Sequence, residues 1–174
     1  SLTWTKAIDN YISDRSESLS PETIRGYRII QRNRFQDVMQ KPMSVPVNWQ
    51  AEINNSLSGL SDKTVKNSWG LMTAIMQANG LSVPRVLFPV KTKRERNFLD
   101  PQQIITFCEA AKGDTCELPI LLGLHSLRMS EIKALRFPDS FSLKDECIIV
   151  SGAVVRDEHN KSVFKAQNKT SSSE

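Results

Sequence analysis

Apolar residues recur along the first half of this chain at helical spacing. Residues 3–16 place Trp4, Ile8, Tyr11 and Ile12 on one face of a helix. Ser20-Pro21-Glu22 then reads as an N-cap followed by proline at the first helical position. In the second helix that it opens, Ile24, Tyr27, Ile30 and Phe35 supply the apolar contacts. Residues 41–47 hold Pro42 and Pro46 and break the pattern. Asn48 caps a third short helix with Trp49, Ile53 and Leu57 on one side. Ser61 opens a fourth, in which Val65, Trp69, Met72 and Ile75 face a core and Gly80 stands at the stop. Residues 1–88 therefore predict a small all-α bundle.

The pattern changes at Pro89-Val90-Lys91-Thr92-Lys93-Arg94-Glu95-Arg96-Asn97, a polar stretch with four cations between 91 and 96. It predicts a linker over 89–97. Asp100-Pro101-Gln102-Gln103 reads as a fresh cap, with proline at N1 and glutamine at N3. A second domain over 98–174 follows, with helices predicted at 100–112, about 116–127 and about 130–136. Cys147–Val150, Gly152–Val155 and Ser162–Phe164 then read as strands, with Asp157–Lys161 as the turn between the last two. The fold class predicted is mainly α with a small antiparallel β element.

Composition narrows the class. The 174 residues are 39% hydrophobic and 24% charged, enough to bury a core. The net charge of +4 and pI near 9.0 lean towards a polyanionic partner without identifying one. Cys108, Cys116 and Cys147 form no C-x-x-C pair, so reduced thiols in a cytoplasmic setting are expected. No signal peptide precedes the first helix, and the apolar run 119–124 is too short to span a bilayer. No phosphate-cradling glycine loop is present, and His125 and His159 have no ligand-type neighbours at metal spacing; no cofactor and no metal are expected.

Three groups of residues carry candidate chemistry. The first is Ser126-Leu127-Arg128-Met129-Ser130-Glu131-Ile132-Lys133-Ala134-Leu135. It sets Arg128 at the junction of two helices, with Glu131 three residues on. A junction arginine can project into a cleft, and its fork matches a phosphate; the plainer reading is a surface ion pair with Glu131. The second is Lys169 in Ala166-Gln167-Asn168-Lys169-Thr170-Ser171, with Lys165 as fallback. The third is a stripe of Arg25, Arg28 and Arg32 at i, i+3, i+7, with Lys63 and Lys66 at the start of the fourth helix. A stripe of this kind is either a solvated face or a phosphate-binding one. The three tryptophans, at helical spacing, read as core.

The arginine box resembles the first catalytic arginine box of the tyrosine site-specific recombinases, the phage and transposon integrases. Leu118 to Leu135 follows that family's apolar helix, Leu-Arg, Ser-Glu, aliphatic and Leu, and Arg136-Phe137-Pro138-Asp139 resembles its exit into strands. His125-Ser126-Leu127-Arg128 also spells H-x-x-R, the family's second box. Strands follow it here and a whole bundle precedes it, so the first-box reading is the consistent one, with His125 in a packing or supporting role. Leu19–Tyr27 and Ser61–Asn67 are similar to the two helix starts of the family's core-binding domain.

The resemblance implies a SAM-like all-α core-binding domain followed by a truncated α+β catalytic domain. It implies that Arg128 holds a phosphate oxygen, that Glu131 orients its neighbours, and that Lys169 protonates the leaving 5′-oxygen. It implies double-stranded DNA as partner, gripped through Arg25, Arg28, Arg32, Lys63 and Lys66. Lys91, Lys93, Arg94 and Arg96 would cross the duplex backbone. It further implies self-assembly on DNA, a tetramer for the full-length protein, and a bacterial or phage-encoded cytoplasmic protein needing neither ATP nor metal. One family feature is missing. The nucleophilic tyrosine lies further downstream in the family, whereas Tyr11 and Tyr27 both fall in the N-terminal bundle. A fragment that binds DNA without cleaving it is expected, with an upstream arm-type domain also missing. Two other readings compete: a non-enzymatic regulator, since Ser61–Leu71 superficially resembles the recognition helix of a helix-turn-helix protein, and a phage structural or interaction protein.

Overall fold

A computed structural model describes residues 1–90 and 97–166. The chain is mostly helical, with two small antiparallel strand pairs. It divides into two compact units, Ser1–Thr92 with Asp157–Asn160, and Lys93–Arg156 with Lys161–Glu174.

The first unit holds α1 (Trp4–Ser13), α2 (Pro21–Asn33), α3 (Gln36–Met39), α4 (Trp49–Leu57) and α5 (Asp62–Ala78). Local chemistry sets the helix starts. The Ser20 hydroxyl accepts the Thr23 N–H at 3.2 Å, Asn48 Oδ1 accepts the Ala51 N–H at 3.2 Å, and the Ser61 hydroxyl accepts the Thr64 N–H at 3.3 Å. Each bond satisfies a donor that a helix terminus otherwise leaves open. Gly80, at φ 69°, takes the left-handed turn just past the end of α5 that an L-residue adopts only with strain.

The core of this unit gathers Ile8, Val38, Ile53, Val65, Met72 and Ile75, all fully buried. Each contributes about 1.5–3 kcal/mol through removal from water. Beside them stands an aromatic cluster. Trp49 meets Trp4 edge-on at 5.0 Å between ring centroids, Phe35 edge-on at 5.8 Å, and Trp69 at 5.3 Å. The tryptophans are thus core residues, as their spacing predicts.

One local expectation fails. The sequence pattern runs α2 through Phe35, but the helix ends at Asn33. Arg34 is extended, and Phe35 takes a left-handed φ of 49° that starts the unpredicted α3. The reversal drives Phe35, Val38 and Met39 into the core. Burial of three apolar side chains outweighs the left-handed cost of about 1–2 kcal/mol at one residue.

The second unit holds α6 (Pro101–Ala111), α7 (Glu117–Leu124) and α8 (Met129–Ile132). They are followed by β1 (Phe141–Ser142), β2 (Cys147–Ile148), β3 (Ala153–Arg156) and β4 (Ser162–Lys165). At α6 the capping box is complete: Asp100 Oδ1 accepts the Gln103 N–H at 2.8 Å, and Gln103 Oε1 accepts the Asp100 N–H at 2.9 Å. β3 and β4 form an antiparallel hairpin in register Ala153↔Lys165 to Arg156↔Ser162. β1, which the sequence reading missed, pairs with β2 in register Phe141↔Ile148. Gly152 lies just before β3, not in it. A Cβ there would stand 2.3 Å from the Lys165 carbonyl oxygen, so only glycine admits this approach of β4. Among the described residues only Ala111, Leu122 and Ala134 are buried apolar side chains in this unit, while Ile105, Phe107, Leu118, Leu121 and Leu124 are exposed on α6 and α7.

Candidate nucleic-acid interface

The turn between α7 and α8 builds the arginine site. His125 caps α7, and Ser126 adopts a left-handed φ of 71°. The Leu127 N–H then reaches back to the Leu122 carbonyl at 3.2 Å, and the Ser126 N–H to Gly123 at 3.0 Å. This closure of a helix end commonly uses glycine at the left-handed position. Serine there carries backbone strain of about 1 kcal/mol or more. The turn delivers Arg128, in extended conformation, to the residue just before α8.

Glu131 holds it there. The Arg128 backbone N–H donates to Glu131 Oε2 at 2.7 Å, and Arg128 Nη1 donates to Glu131 Oε1 at 2.7 Å. Exposure separates the pair: the Glu131 side chain is 9% exposed and that of Arg128 is 63%. One edge of the guanidinium is therefore anchored on a buried carboxylate, and the rest of the fork is open to solvent. The backbone N–H of Arg128 is the first cause that pushes the Glu131 carboxyl below its usual range; burial opposes it, and the guanidinium adds to the lowering. His125, expected in a packing or supporting role, is exposed.

Lys169 and the linker cations Lys91, Lys93, Arg94 and Arg96 lie outside the described residues. Lys165, the fallback lysine, is half-buried at the end of β4. Arg136, which the sequence reading left aside, stands with its guanidinium 5.6 Å from the centre of the Phe164 ring on β4.

In the first unit the cationic stripe is not uniform. Arg32 is exposed, and Arg25 makes only a long 3.4 Å ion pair with Glu22, an i,i+3 contact of little strength. Arg28 is committed to Asp9 and bonds Gln31 Oε1 at 3.0 Å. The Gln31 amide in turn donates to Asp9 Oδ1 at 2.8 Å and to the Thr5 carbonyl at 3.0 Å, which ties α2 to α1. Burial raises the Asp9 carboxyl, but the Gln31 and Arg28 hydrogen bonds outweigh it and the net displacement is downward. On α5, Lys63 is exposed, and the Lys66 ammonium lies 5.1 Å from the centre of the Phe88 ring.

A cleft of about 560 Å³ opens between α2 and α5. Lys66 and Tyr27 border it, together with Arg34 and Asn67, two polar residues the sequence reading passed over. Arg34 stands nine residues after Arg25, off the i, i+3, i+7 stripe, at the position where the helix has ended. Both helix starts also carry a first-turn carboxylate, Glu22 on α2 and Asp62 on α5. These residues answer the positive end of the helix dipole and weaken each start as an anion site by itself. Tyr11 and Tyr27 are half-buried and face each other at 6.2 Å, with Arg15 over the Tyr11 ring at 4.0 Å. Burial raises the Tyr27 hydroxyl above its ordinary value, the opposite of what a nucleophile needs. Among the described residues no group of three or more His, Cys, Asp or Glu is arranged to hold a metal ion, and no helix is long and apolar enough to cross a membrane.

No protein-family model matches the sequence, and no curated protein matches it. Among solved structures the chain is similar to the Tn1549 transposon integrase in complex with transposon right end DNA. The TM-score is 0.66 and the identity 19%, over 98% of this chain and 59% of that one. It is also similar to the same integrase in complex with circular intermediate DNA, with TM-score 0.64 and 22% identity over 96% of this chain and 60% of that one. The chain thus spans about three-fifths of the length of these integrase chains. At this identity the likeness is one of fold: nearly all of the chain shares the fold of the matching part of that transposon integrase.

Proposed function

We propose that this chain is the DNA-binding part of a tyrosine recombinase joined to the first portion of its phosphate-activating site. In this reading residues 1–88 are a core-binding domain, 89–97 a basic linker and 98–174 the start of the catalytic domain. The observation that carries it is the arrangement at Arg128. A phosphate ligand must be held in orientation yet remain open, and a buried Glu131 gripping one edge of an exposed guanidinium meets both needs. Glu131 is then a positioning residue. The chemistry it would serve is attack by a tyrosine on a scissile phosphate, giving a 3′-phosphotyrosyl link and a 5′-hydroxyl. Arg128 would bind a nonbridging oxygen, and Lys169 would give the leaving 5′-oxygen its proton. The phosphodiester energy is kept in the covalent link, so no ATP or metal is required.

Double-stranded DNA is the partner in this reading. Arg25, Arg32, Lys63 and Lys66 supply backbone attraction on the first unit, and Lys91, Lys93, Arg94 and Arg96 supply it on the linker. Arg28 contributes chiefly through Asp9. Neither tyrosine of this chain is suited to be the nucleophile, so residues 1–174 bind DNA without cutting it. The apolar side chains exposed on α6 and α7 support the same view, since further chain of this fold would cover them. The complete protein would act in the cytoplasm and assemble as a tetramer on DNA.

The test is direct. Residues 1–174 are expected to bind duplex DNA with an affinity that falls as salt rises, and to form no covalent adduct on a suicide substrate. A covalent adduct would overturn the assignment of the nucleophile elsewhere, and salt-independent or absent binding would overturn the DNA reading. One observation favours a regulator instead: α4 and α5 are joined by only Ser58-Gly59-Leu60-Ser61, a helix-turn-helix type of connection. Arg128→Ala in a recombination-competent protein separates the two. A recombinase keeps binding and loses strand exchange, whereas a regulator keeps its function.

A further inference from the structure

Gly26 lies in the middle of α2 and Gly70 in the middle of α5. Glycine at such a position weakens a helix relative to alanine, because its backbone loses more freedom on folding. Neither glycine has a left-handed φ that would require it. Neither makes room for a packed neighbour: outside its own stretch of helix, a Cβ at either would meet nothing within 4 Å. The fold of the described residues thus gives no reason for glycine at either position. Both glycines border one feature, the cleft of about 560 Å³ between α2 and α5.

The cleft has a definite chemistry. Its charged lining residues are Lys66 on α5 and Arg34 at the end of α2, and both are half-buried. Among the described residues neither forms an ion pair. Glu22 and Asp62, the first-turn carboxylates of the two helices, are not part of the lining. Two partly desolvated cations without a counter-charge call for an anionic occupant. Ile29 and Ile30 add apolar wall, so the occupant carries apolar surface as well as negative charge. A free phosphate lacks that surface, whereas a sugar–phosphate strand has both. Arg25, Arg32 and Lys63 stand on the same two helices and continue the positive charge along a duplex.

We propose that the cleft receives one sugar–phosphate strand of duplex DNA, seated so closely that it touches the helix backbones at Gly26 and Gly70. This rests on the DNA-binding reading and adds that two uncharged positions set how deeply the DNA lies. The glycines are positioning residues. Each gives up helix stability for a surface with no side chain in the way of the strand.

The experiment compares residues 1–174 with the variants Gly26→Ala and Gly70→Ala by two measurements. Tryptophan fluorescence follows unfolding of the first unit, which holds all three indoles. Fluorescence anisotropy follows binding to a fluorescein-labelled duplex DNA of mixed sequence. Each alanine is expected to raise the unfolding temperature by about 2–8 °C, since the added methyl meets open space. Each is also expected to weaken binding by about tenfold or more, since the methyl overlaps the seated strand. Only a close-approach role makes the more stable protein the weaker binder. A wild-type chain that does not bind the duplex overturns the DNA reading and this inference with it. Wild-type binding that either alanine variant matches overturns this inference alone and leaves the DNA reading standing. A fall in unfolding temperature does the same, because the glycines would then serve the fold.

Discussion

Removing the Glu131 carboxylate is the most revealing perturbation of the arginine site. The carboxylate is buried and takes two bonds of 2.7 Å, both from Arg128. The bond from the backbone N–H is charge-assisted, and such a bond is worth about 1.5–3 kcal/mol. The bond from the guanidinium involves a side chain 63% exposed, so water screens it to less than about 1 kcal/mol. Glu131→Ala should therefore cost about 2–3 kcal/mol of local stability at the start of α8. Glu131→Gln keeps an acceptor of the same shape at N3 and loses only the charge, a cost of about 1 kcal/mol. Amide hydrogen exchange at Arg128 reads this directly. Protection should fall on the order of 30- to 100-fold in the alanine variant and about fivefold in the glutamine variant. The pH dependence has a definite sign. The folded carboxyl lies below its unfolded value of 4.5, so its contribution is complete above that value and is lost as pH falls through the folded one. The glutamine variant should lose that acid sensitivity. Wild-type exchange at Arg128 in Glu131→Ala, or equal damage from Gln and Ala, would refute the reasoning.

Three further outcomes follow from the geometry. Arg32→Ala should lower the slope of log affinity against log salt by about 1 and leave thermal unfolding unchanged, whereas Arg28→Ala should mainly lower the melting temperature, because it removes the ion-pair partner of Asp9 and leaves that carboxylate with the Gln31 amide. The Asp9 carboxyl is held below 3.8, so its stabilisation is present above that pH and lost in stronger acid; Asp9→Asn should flatten that part of an acid titration followed by circular dichroism. Gly152→Ala places a methyl 2.3 Å from the Lys165 carbonyl and 2.7 Å from Phe164 Cζ, and should cost about 1–3 kcal/mol, visible as faster exchange across β3 and β4.

What the sequence made legible was local. Ser20, Asn48, Ser61 and the Asp100–Gln103 pair announce helix starts because each cap bonds within three residues. Arg128 and Glu131 were legible as a pair for the same reason. What stayed hidden depends on contacts distant in sequence. Nothing around Phe35 signals a left-handed residue; it turns back because Trp49, fourteen positions later, offers its ring edge. The strand Phe141–Ser142 is two residues long, too short for any alternation to show. The i, i+3, i+7 spacing placed Arg28 beside Arg25 and Arg32 on one stripe, but Asp9 on the preceding helix gives Arg28 a different task.

The tryptophan cluster has a consequence for anyone watching this protein unfold. All three indoles of the chain, Trp4, Trp49 and Trp69, lie in the first unit, linked through centroid distances of 5.0 and 5.3 Å. Their fluorescence emission is therefore a single optical reporter for the helical bundle. When the bundle opens, the cluster meets water at once and the emission shifts red as one transition. The second unit has no indole, and its melting leaves the emission unchanged. A fluorescence curve and a helical circular-dichroism curve taken on the same sample will separate if the two units differ in stability, and that separation measures the difference between them.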